Sequence, residues 1–327
     1  VFEVGSGRAQ RYDAAILGAR AAYIGGCSGT ACTITDREFE VPAMGTMAHS
    51  WVQLFDNEYE AFEAYAKIYP DSCTLLVDTY NVLKSGVPNA IKCFDEVLKP
   101  MGHRPKGIRI DSGDIAYLSK KARKMLDEAG YPDCQIVASN SLDEYLIRDL
   151  ILQGAQVDTF GVGENLITSK SDPVFGGVYK LVAVKENGAF VPRIKISETV
   201  EKITTPNVKK VYRLFRKDSG KAVADYVALF DENVPAEGPI TLFDPLETWK
   251  SQTFEDVELR PIMEHIFQNG ECIYELPKLN EIRDYCTAQI DTLWDEVKRF
   301  ENPHRYYVDL SEQCWNCKHM LLSQRQY

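Results

Sequence analysis

Short apolar or β-branched runs recur through the first half of this chain, separated by longer stretches with helical spacing, and that alternation limits the fold more than any other feature. The runs are VFEVG from Val1, ACTI from Ala31, VPAMG from Val41, TLLVDTY from Thr74, GIRIDSG from Gly107, CQIVAS from Cys134 and DTFGVG from Asp158. Residues 13–23, 59–68, 89–98, 114–129 and 142–153 carry apolar side chains at helical intervals. Repeated β-α-β units with nearly continuous apolar strands predict a parallel sheet covered by helices. A closed barrel suits the pattern better than an open sheet, because polar residues or glycine recur where runs end: His49, Asp78, Asp111, Ser139 and Gly161. In a β/α barrel those positions share the C-terminal rim, where functional side chains gather.

After about Val178 the pattern changes. YKLVAV, RIKIS and VYRLFR alternate like antiparallel strands, the segment from Asp225 to Pro245 is rich in turn residues, and 279–300 reads as a helical run. The expected division is therefore a β/α barrel carrying the site over 1–185. The remaining barrel and antiparallel strands, with a C-terminal helical lobe, fill 186–327.

A formal net charge of −11 argues against a nucleic-acid binder, which needs a basic face to displace counterions. No apolar run approaches the roughly 20 residues of a membrane span, and the first residues carry no signal-peptide pattern, so the expectation is a cytoplasmic protein. The nine cysteines sit mostly in strand or helix patterns and read as reduced and mostly buried.

Several short segments carry chemistry. In GIRIDSGD, Arg109 and Asp111 share one face of a strand, while Ser112, Gly113 and Asp114 open a helix whose free N–H groups suit an anion. A phosphorylated, metal-bound substrate would use all of these; a buried Arg–Asp pair beside an ordinary helix cap is the alternative. Ser139 and Asn140, with Gly161 and Gly163, form the last two strand-to-helix loops of the pattern, where barrels often hold phosphate. A tight turn open only to glycine is the plainer reading of Gly161 and Gly163. Asp78 suits ribose hydroxyls or magnesium, or a helix cap. His49 stands without a second metal ligand nearby, and taken alone reads as a core histidine. Cys314 and Cys317, with His319 close by, read as two buried thiols on a helix, since zinc wants four ligands and no second CxxC exists.

Together, GTMAHSW, LLVDTYNV, GIRIDSGD, SNSLDE and FGVGENL, followed by GGVYKLV and NPHRYYVDLS, closely resemble the nicotinate phosphoribosyltransferase family in order and spacing over nearly the whole chain. The resemblance implies a type II phosphoribosyltransferase fold, an irregular α/β barrel with a smaller C-terminal lobe, usually dimeric. It implies an ATP-coupled, ligase-type transferase of NAD salvage. Nicotinate and phosphoribosyl pyrophosphate would give nicotinate mononucleotide and pyrophosphate, with ATP as co-substrate phosphorylating the histidine matching His49. On that reading Asp78 and Asp111 stabilise the cationic sugar or organise Mg2+, with Asp111 and Asp114 as magnesium ligands. Arg8 and Arg109 contact anionic groups, and Ser112 and Gly113 hold phosphate. Ser139, Asn140, Gly161 and Gly163 hold the 5-phosphate. Thr30 and Ala31 border the base; nicotinamide-using relatives carry an aspartate at the position of Ala31, so Ala31 favours the acid.

The first motif departs from the family pattern Glu-Phe-Gly-x-Arg-Arg-Ala-Gln-Gly. Val4 replaces the aromatic ring, Gly7 the first arginine and Arg11 the final glycine. The chain begins at this motif, so the family's N-terminal lobe is expected to be absent. A non-catalytic homologue that binds phosphorylated ligands, a nicotinamide-using enzyme, and a different barrel enzyme acting on a sugar phosphate are the alternatives.

Overall fold

The computed structural model describes residues 1–247 and 249–324. They divide into two compact units. The first comprises Val1–Phe175 with Lys278–Asp284; the second comprises Gly176–Pro277 with the described chain from Tyr285 onward. The division falls at Phe175 rather than 185, and residues 171–181 are exposed, so no core ties them to either side.

The first unit is built on a parallel sheet. Its strands β1 (Phe2–Glu3), β2 (Thr74–Leu76), β3 (Gly107–Ile110), β4 (Gln135–Ala138) and β5 (Thr159–Val162) lie in the order β1-β5-β4-β3-β2. Single bridges from Glu3 to Thr30 and from Thr30 to Ala43 extend the wall beyond β1. The chain that continues from Ala43 reaches the far edge, where His49 meets Asp78 just past β2. The wall thus curls into an irregular β/α barrel whose last gap is bridged by side chains.

Helices α1 (Tyr12–Ile24), α2 (Thr33–Phe39), α3 (His49–Gln53), α4 (Glu58–Ile68), α5 (Val87–Cys93), α6 (Ile115–Glu128), α7 (Glu144–Leu152) and α8 (Glu164–Ile167) complete the unit. Leu75, Leu76, Val77, Ile108, Ile110 and Ile136 are all fully buried, because a parallel strand is covered on both faces. Helix α4 adds Ala61, Phe62 and Ala66 to the same core, and α6 adds Ala122 and Leu126. Each large apolar side chain buried there contributes roughly 1.5–3 kcal/mol. Asn57, Asp114 and Asp143 cap α4, α6 and α7 by accepting from the N–H groups of Glu60, Tyr117 and Leu146.

Two strand expectations fail locally. ACTI is not a strand: the Cys32 N–H turns back onto the Thr30 hydroxyl, and the chain enters α2. VPAMG keeps only the Ala43 bridge, and His49 opens a short helix rather than ending a strand.

The second unit is led by β-structure. Hairpin β6 (Ala183–Glu186) and β7 (Ala189–Pro192) precede β8 (Lys209–Arg216), β9 (Ala222–Leu229), β10 (Ile240–Phe243), β11 (Ser251–Phe254) and β12 (Val257–Pro261). A second hairpin pairs β13 (Phe267–Gln268) with β14 (Glu271–Cys272). After α9 (Leu279–Asp291), whose residues up to Asp284 belong to the first unit, come β15 (Tyr307–Leu310) and α10 (Glu312–Ser323). The main sheet has the order β11-β10-β15-β9-β8-β12, antiparallel except where β15 joins β9. Leu214, Val223, Ala224 and Leu242 centre its core. The turn-rich segment from Asp225 therefore contains two core strands. The helical run expected over 279–300 stops at Asp291, because Trp294 packs onto this core. Among the described residues no helix is long and apolar enough to cross a membrane.

Candidate active site

One connected set of side chains occupies the rim of the first unit. His49 stands at the start of α3, which is pinned by buried Met47 and Val52 and by the Trp51 indole N–H donating to the Ala61 carbonyl at 3.1 Å. Its Nε2 lies 3.1 Å from Asp78 Oδ1. The Asp78 side chain is 1% exposed against 39% for His49, and its other oxygen accepts from the Asp111 N–H at 3.1 Å and from the Ser112 hydroxyl. With the Asp78 carboxylate as acceptor, His49 donates from Nε2, and its Nδ1 takes no hydrogen bond among the described residues.

Asp111 Oδ1 accepts from Arg109 at 2.8 Å and from the Ser139 hydroxyl. Arg109 also donates from Nε to Ser139 Oγ at 2.8 Å and from Nη1 to Thr46 Oγ1 at 2.9 Å. The guanidinium is thereby fixed from three directions, with both its own strand and the His49 segment holding it. Behind Asp78, Glu58 is buried, with Oε2 accepting from Asn89 Nδ2 at 3.0 Å and Oε1 without a hydrogen-bond partner. Burial pushes its carboxyl above the usual range, hydrogen bonds from Asn89 and Ser85 pull the other way, and the charge of Asp78 adds to the rise.

The two phosphate-type loops are geometrically distinct. Asn140 and Ser141 both adopt positive φ, +91° and +47°, a conformation that L-residues rarely hold without cause. Asn165 secures this turn by donating to the carbonyls of Ser141 and Leu142, each at 3.1 Å. Gly161 lies within β5, and a Cβ there would come within 3.2 Å of the Phe2 ring. Gly163 ends the strand ahead of α8, and Gly113 has φ of +80° just before the cap of α6.

A second network closes the wall on the other side. The Glu3 carboxylate, fully buried, accepts from the Gly5 N–H and from the Thr30 hydroxyl at 2.5 Å, while Thr30 Oγ1 accepts from the Cys32 N–H at 2.9 Å. Arg8 and Ala31 are exposed on the two loops that leave this network, and among the described residues the Arg8 guanidinium has no hydrogen bond or ion pair.

The family model "Nicotinate phosphoribosyltransferase (NAPRTase) family" matches residues 3–202, and "Nicotinate phosphoribosyltransferase C-terminal domain" matches 208–318. The chain belongs to the nicotinate phosphoribosyltransferase family. It is 46% identical over 319 residues to the nicotinate phosphoribosyltransferase of Bacillus subtilis, covering 97% of this chain and 64% of that protein. The enzyme of that name from Dictyostelium discoideum is 34% identical, over 98% of this chain and 62% of its own length. The chain therefore spans less than two thirds of either relative. The crystal structure of human nicotinic acid phosphoribosyltransferase superposes with a TM-score of 0.79 at 26% identity, covering 98% of this chain and 70% of that one.

Within this family fold, the expected His49, Asp78, Arg109, Asp111, Ser112 and Ser139 are joined by direct hydrogen bonds. Thr30 is not on the surface of the site: it is fully buried with its hydroxyl on Glu3, behind Ala31. Ser139 is likewise buried, its hydroxyl holding Arg109 against Asp111. Glu3, Thr46 and Glu58 were not singled out from sequence, although Glu3 and Thr46 lie inside motifs that were. Glu58 opens an unremarkable amphipathic helix and gave no signal.

Asp111 Oδ2 and one oxygen of Asp114, whose other oxygen caps α6, take no hydrogen bond among the described residues. That donor set fits magnesium held mainly by substrate phosphates, the usual mode for this ion; no group of three or more His, Cys, Asp or Glu able to cage a metal occurs among the described residues. Cys314 is buried on α10 with its thiol pushed up to about 11, chiefly by burial, and Cys317 follows one turn later. The His319 ring stacks on Trp315 at 3.6 Å.

Proposed function

We propose that this chain carries the catalytic barrel of a nicotinate phosphoribosyltransferase that couples ATP to synthesis of nicotinate mononucleotide. The observation that carries the reading is the His49–Asp78 pair, continuous with Asp111 and Arg109 at the barrel rim. With Nε2 tied to Asp78, the His49 Nδ1 lone pair attacks the γ-phosphorus of ATP, the bond to the bridging oxygen breaks, and ADP leaves. Phosphoryl transfer of this kind needs positioning and charge neutralisation more than a covalent catalyst. Water later takes the phosphoryl group from His49.

In the glycosyl step the ring nitrogen of nicotinate supplies its own lone pair to ribose C1, and the C1–O bond breaks with its electrons leaving on pyrophosphate. No general base is required. Asp111 and Asp78 face the positive charge that develops on the sugar, while Arg109 and Arg8 hold anionic groups. Ser112 and Gly113, at the start of α6, receive pyrophosphate oxygens through backbone N–H groups. Asn140 and Gly163 take the 5-phosphate, with Ser139 and Gly161 shaping the loops from behind. Asp111 and Asp114 would hold magnesium, which would supply charge neutralisation of the substrate phosphates. Ala31, exposed and uncharged, leaves the pyridine carboxylate unrepelled and favours nicotinate over nicotinamide. A cytoplasmic homodimer completes the reading.

The second reading, a non-catalytic homologue binding phosphorylated ligands, draws on Gly7, around which a Cβ would meet nothing within 4 Å. A side chain at that position would start in open space. The deciding assay supplies phosphoribosyl pyrophosphate, magnesium and ATP with nicotinate or nicotinamide and follows mononucleotide formation, with His49→Ala as control. Nicotinate mononucleotide from the unmodified chain alone supports the enzyme. Absence of product from folded protein with either base overturns it in favour of the second reading.

A further inference from the structure

A buried carboxylate is an expensive way to fill a β-wall, since an apolar side chain of similar size would pack there without desolvation cost. Glu3 nonetheless lies fully buried in the middle of the wall, its backbone paired to Val162 on one side and Thr30 on the other. By strand alternation its side chain lies on the opposite face from Phe2 and Val4. It accepts from the Gly5 N–H and from the Thr30 hydroxyl, and that hydroxyl in turn accepts from the Cys32 N–H.

These donors sit where the chain leaves the ladder. Val4 makes the last ladder bond of β1, to the Val162 carbonyl, before the turn that carries Arg8; the Ala31 N–H bonds Glu3 O before the chain enters α2. A cleft of about 470 Å³ lies beside the two departing loops, lined by Ser6, Gly7 and Ala9 from one, Cys32 and Ile34 from the other, and Tyr12, Ala15 and Ile16 of α1. Gly5 itself is pressed against the Gly163 carbonyl, with no room for a Cβ, so the first loop cannot shift inward.

We propose that Glu3, acting through Thr30, is the positioning residue that sets the separation of the Arg8 and Ala31 loops and thereby the fit of the pyridine carboxylate. The inference rests on the nicotinate reading above. Neither Glu3 nor Thr30 touches substrate; each acts by holding a loop whose exposed residue does. Loss of the bridge lets the loops drift apart on the side of the cleft and weakens nicotinate binding, while the phosphoribosyl pyrophosphate site, held by Arg109 and Asp111, keeps its geometry.

Thr30→Val removes the hydroxyl with little change in shape, and Thr30→Ser restores it. The expected result is a KM for nicotinate raised about tenfold in Thr30→Val, a loss the size of one charge-assisted hydrogen bond, with the KM for phosphoribosyl pyrophosphate within about twofold and recovery in Thr30→Ser. A merely structural role predicts a lowered Tm and equal damage to both substrates. An unchanged nicotinate KM, or one that moves in step with that of phosphoribosyl pyrophosphate, overturns the proposal. If the unmodified chain makes no mononucleotide, the functional reading falls separately, and calorimetric titration with nicotinate decides: binding weakened about tenfold by Thr30→Val supports the proposal, and equal or undetectable binding by the unmodified chain rejects it.

Discussion

Two polar networks in the barrel unit use the same chemistry under opposite conditions. At the rim, His49, Asp78, Asp111, Arg109 and Ser139 form a chain whose side chains range from sealed to accessible, and His49 Nδ1 and Asp111 Oδ2 take no hydrogen bond among the described residues. In the wall, Glu3 and Thr30 are sealed, and both Glu3 oxygens take donors from the protein. A network with spare lone pairs near solvent can exchange its partners for a ligand; one that is complete and dry can only hold shape. The contrast predicts that rim substitutions act on turnover, and wall substitutions on folding and, through the loops the wall holds, on nicotinate affinity.

The largest expected effect is at Asp78. Asp78→Asn keeps an acceptor for the Asp111 N–H and Ser112 but turns an NH2 group toward His49 Nε2, forcing the other tautomer. ATP-dependent turnover should fall about 10²–10³-fold, with Tm within about 2 °C; a Tm loss matching the activity loss would make the rim a folding element and erase the distinction. Next comes Glu3→Ala, which strands the Gly5 N–H and the Thr30 hydroxyl. A loss of about 3 kcal/mol, or roughly 6–12 °C in Tm, is expected by thermal denaturation, and no loss at all would show that water satisfies those donors.

A smaller gain is expected from Gly7→Arg, since nothing crowds the side chain there. An added guanidinium should tighten an anionic substrate roughly tenfold, read as a lower KM at unchanged Tm. The smallest effect concerns pH. The folded-state pKa of Glu58 lies above its unfolded value, so the stability tied to its neutral form is complete below the unfolded pKa and is lost as pH rises through the folded one. Glu58→Gln removes that loss. Its Tm should exceed the parent's on the order of 2 °C at pH 8 and match it at pH 4; a gain at both would point to packing instead.

Much of the barrel was legible because period and rim polarity repeat: the predicted strands from Thr74, Gly107, Cys134 and Asp158 all form, and Asp78, Asp111 and Ser139 after the first three meet. What escaped was local competition. ACTI has β-branched residues, yet the Cys32 N–H turns back onto the Thr30 hydroxyl and the chain enters a helix that the Asp-Arg-Glu-Phe continuation sustains. Thr30 was legible as a site residue but not as a buried one, since its orientation depends on a partner 27 positions away. Glu58 was invisible, because helix periodicity says which face is buried and not which charge goes with it. In the second unit the turn-rich look of residues 225–245 concealed two core strands, whose pairing with β15 joins segments far apart in the chain.

The buried thiols have a consequence of their own. Cys73, Cys93 and Cys134 lie in the barrel core, each pushed up to about 12 chiefly by burial, while Cys314 sits in the core of the second unit and Cys272 is exposed. A thiol-reactive dye in neutral buffer will mark Cys272 and the half-buried Cys32, Cys286 and Cys317 first, and reach the buried thiols only when their surroundings open. The chain therefore carries a separate built-in clock in each unit, and reading the two side by side would tell which one breathes first.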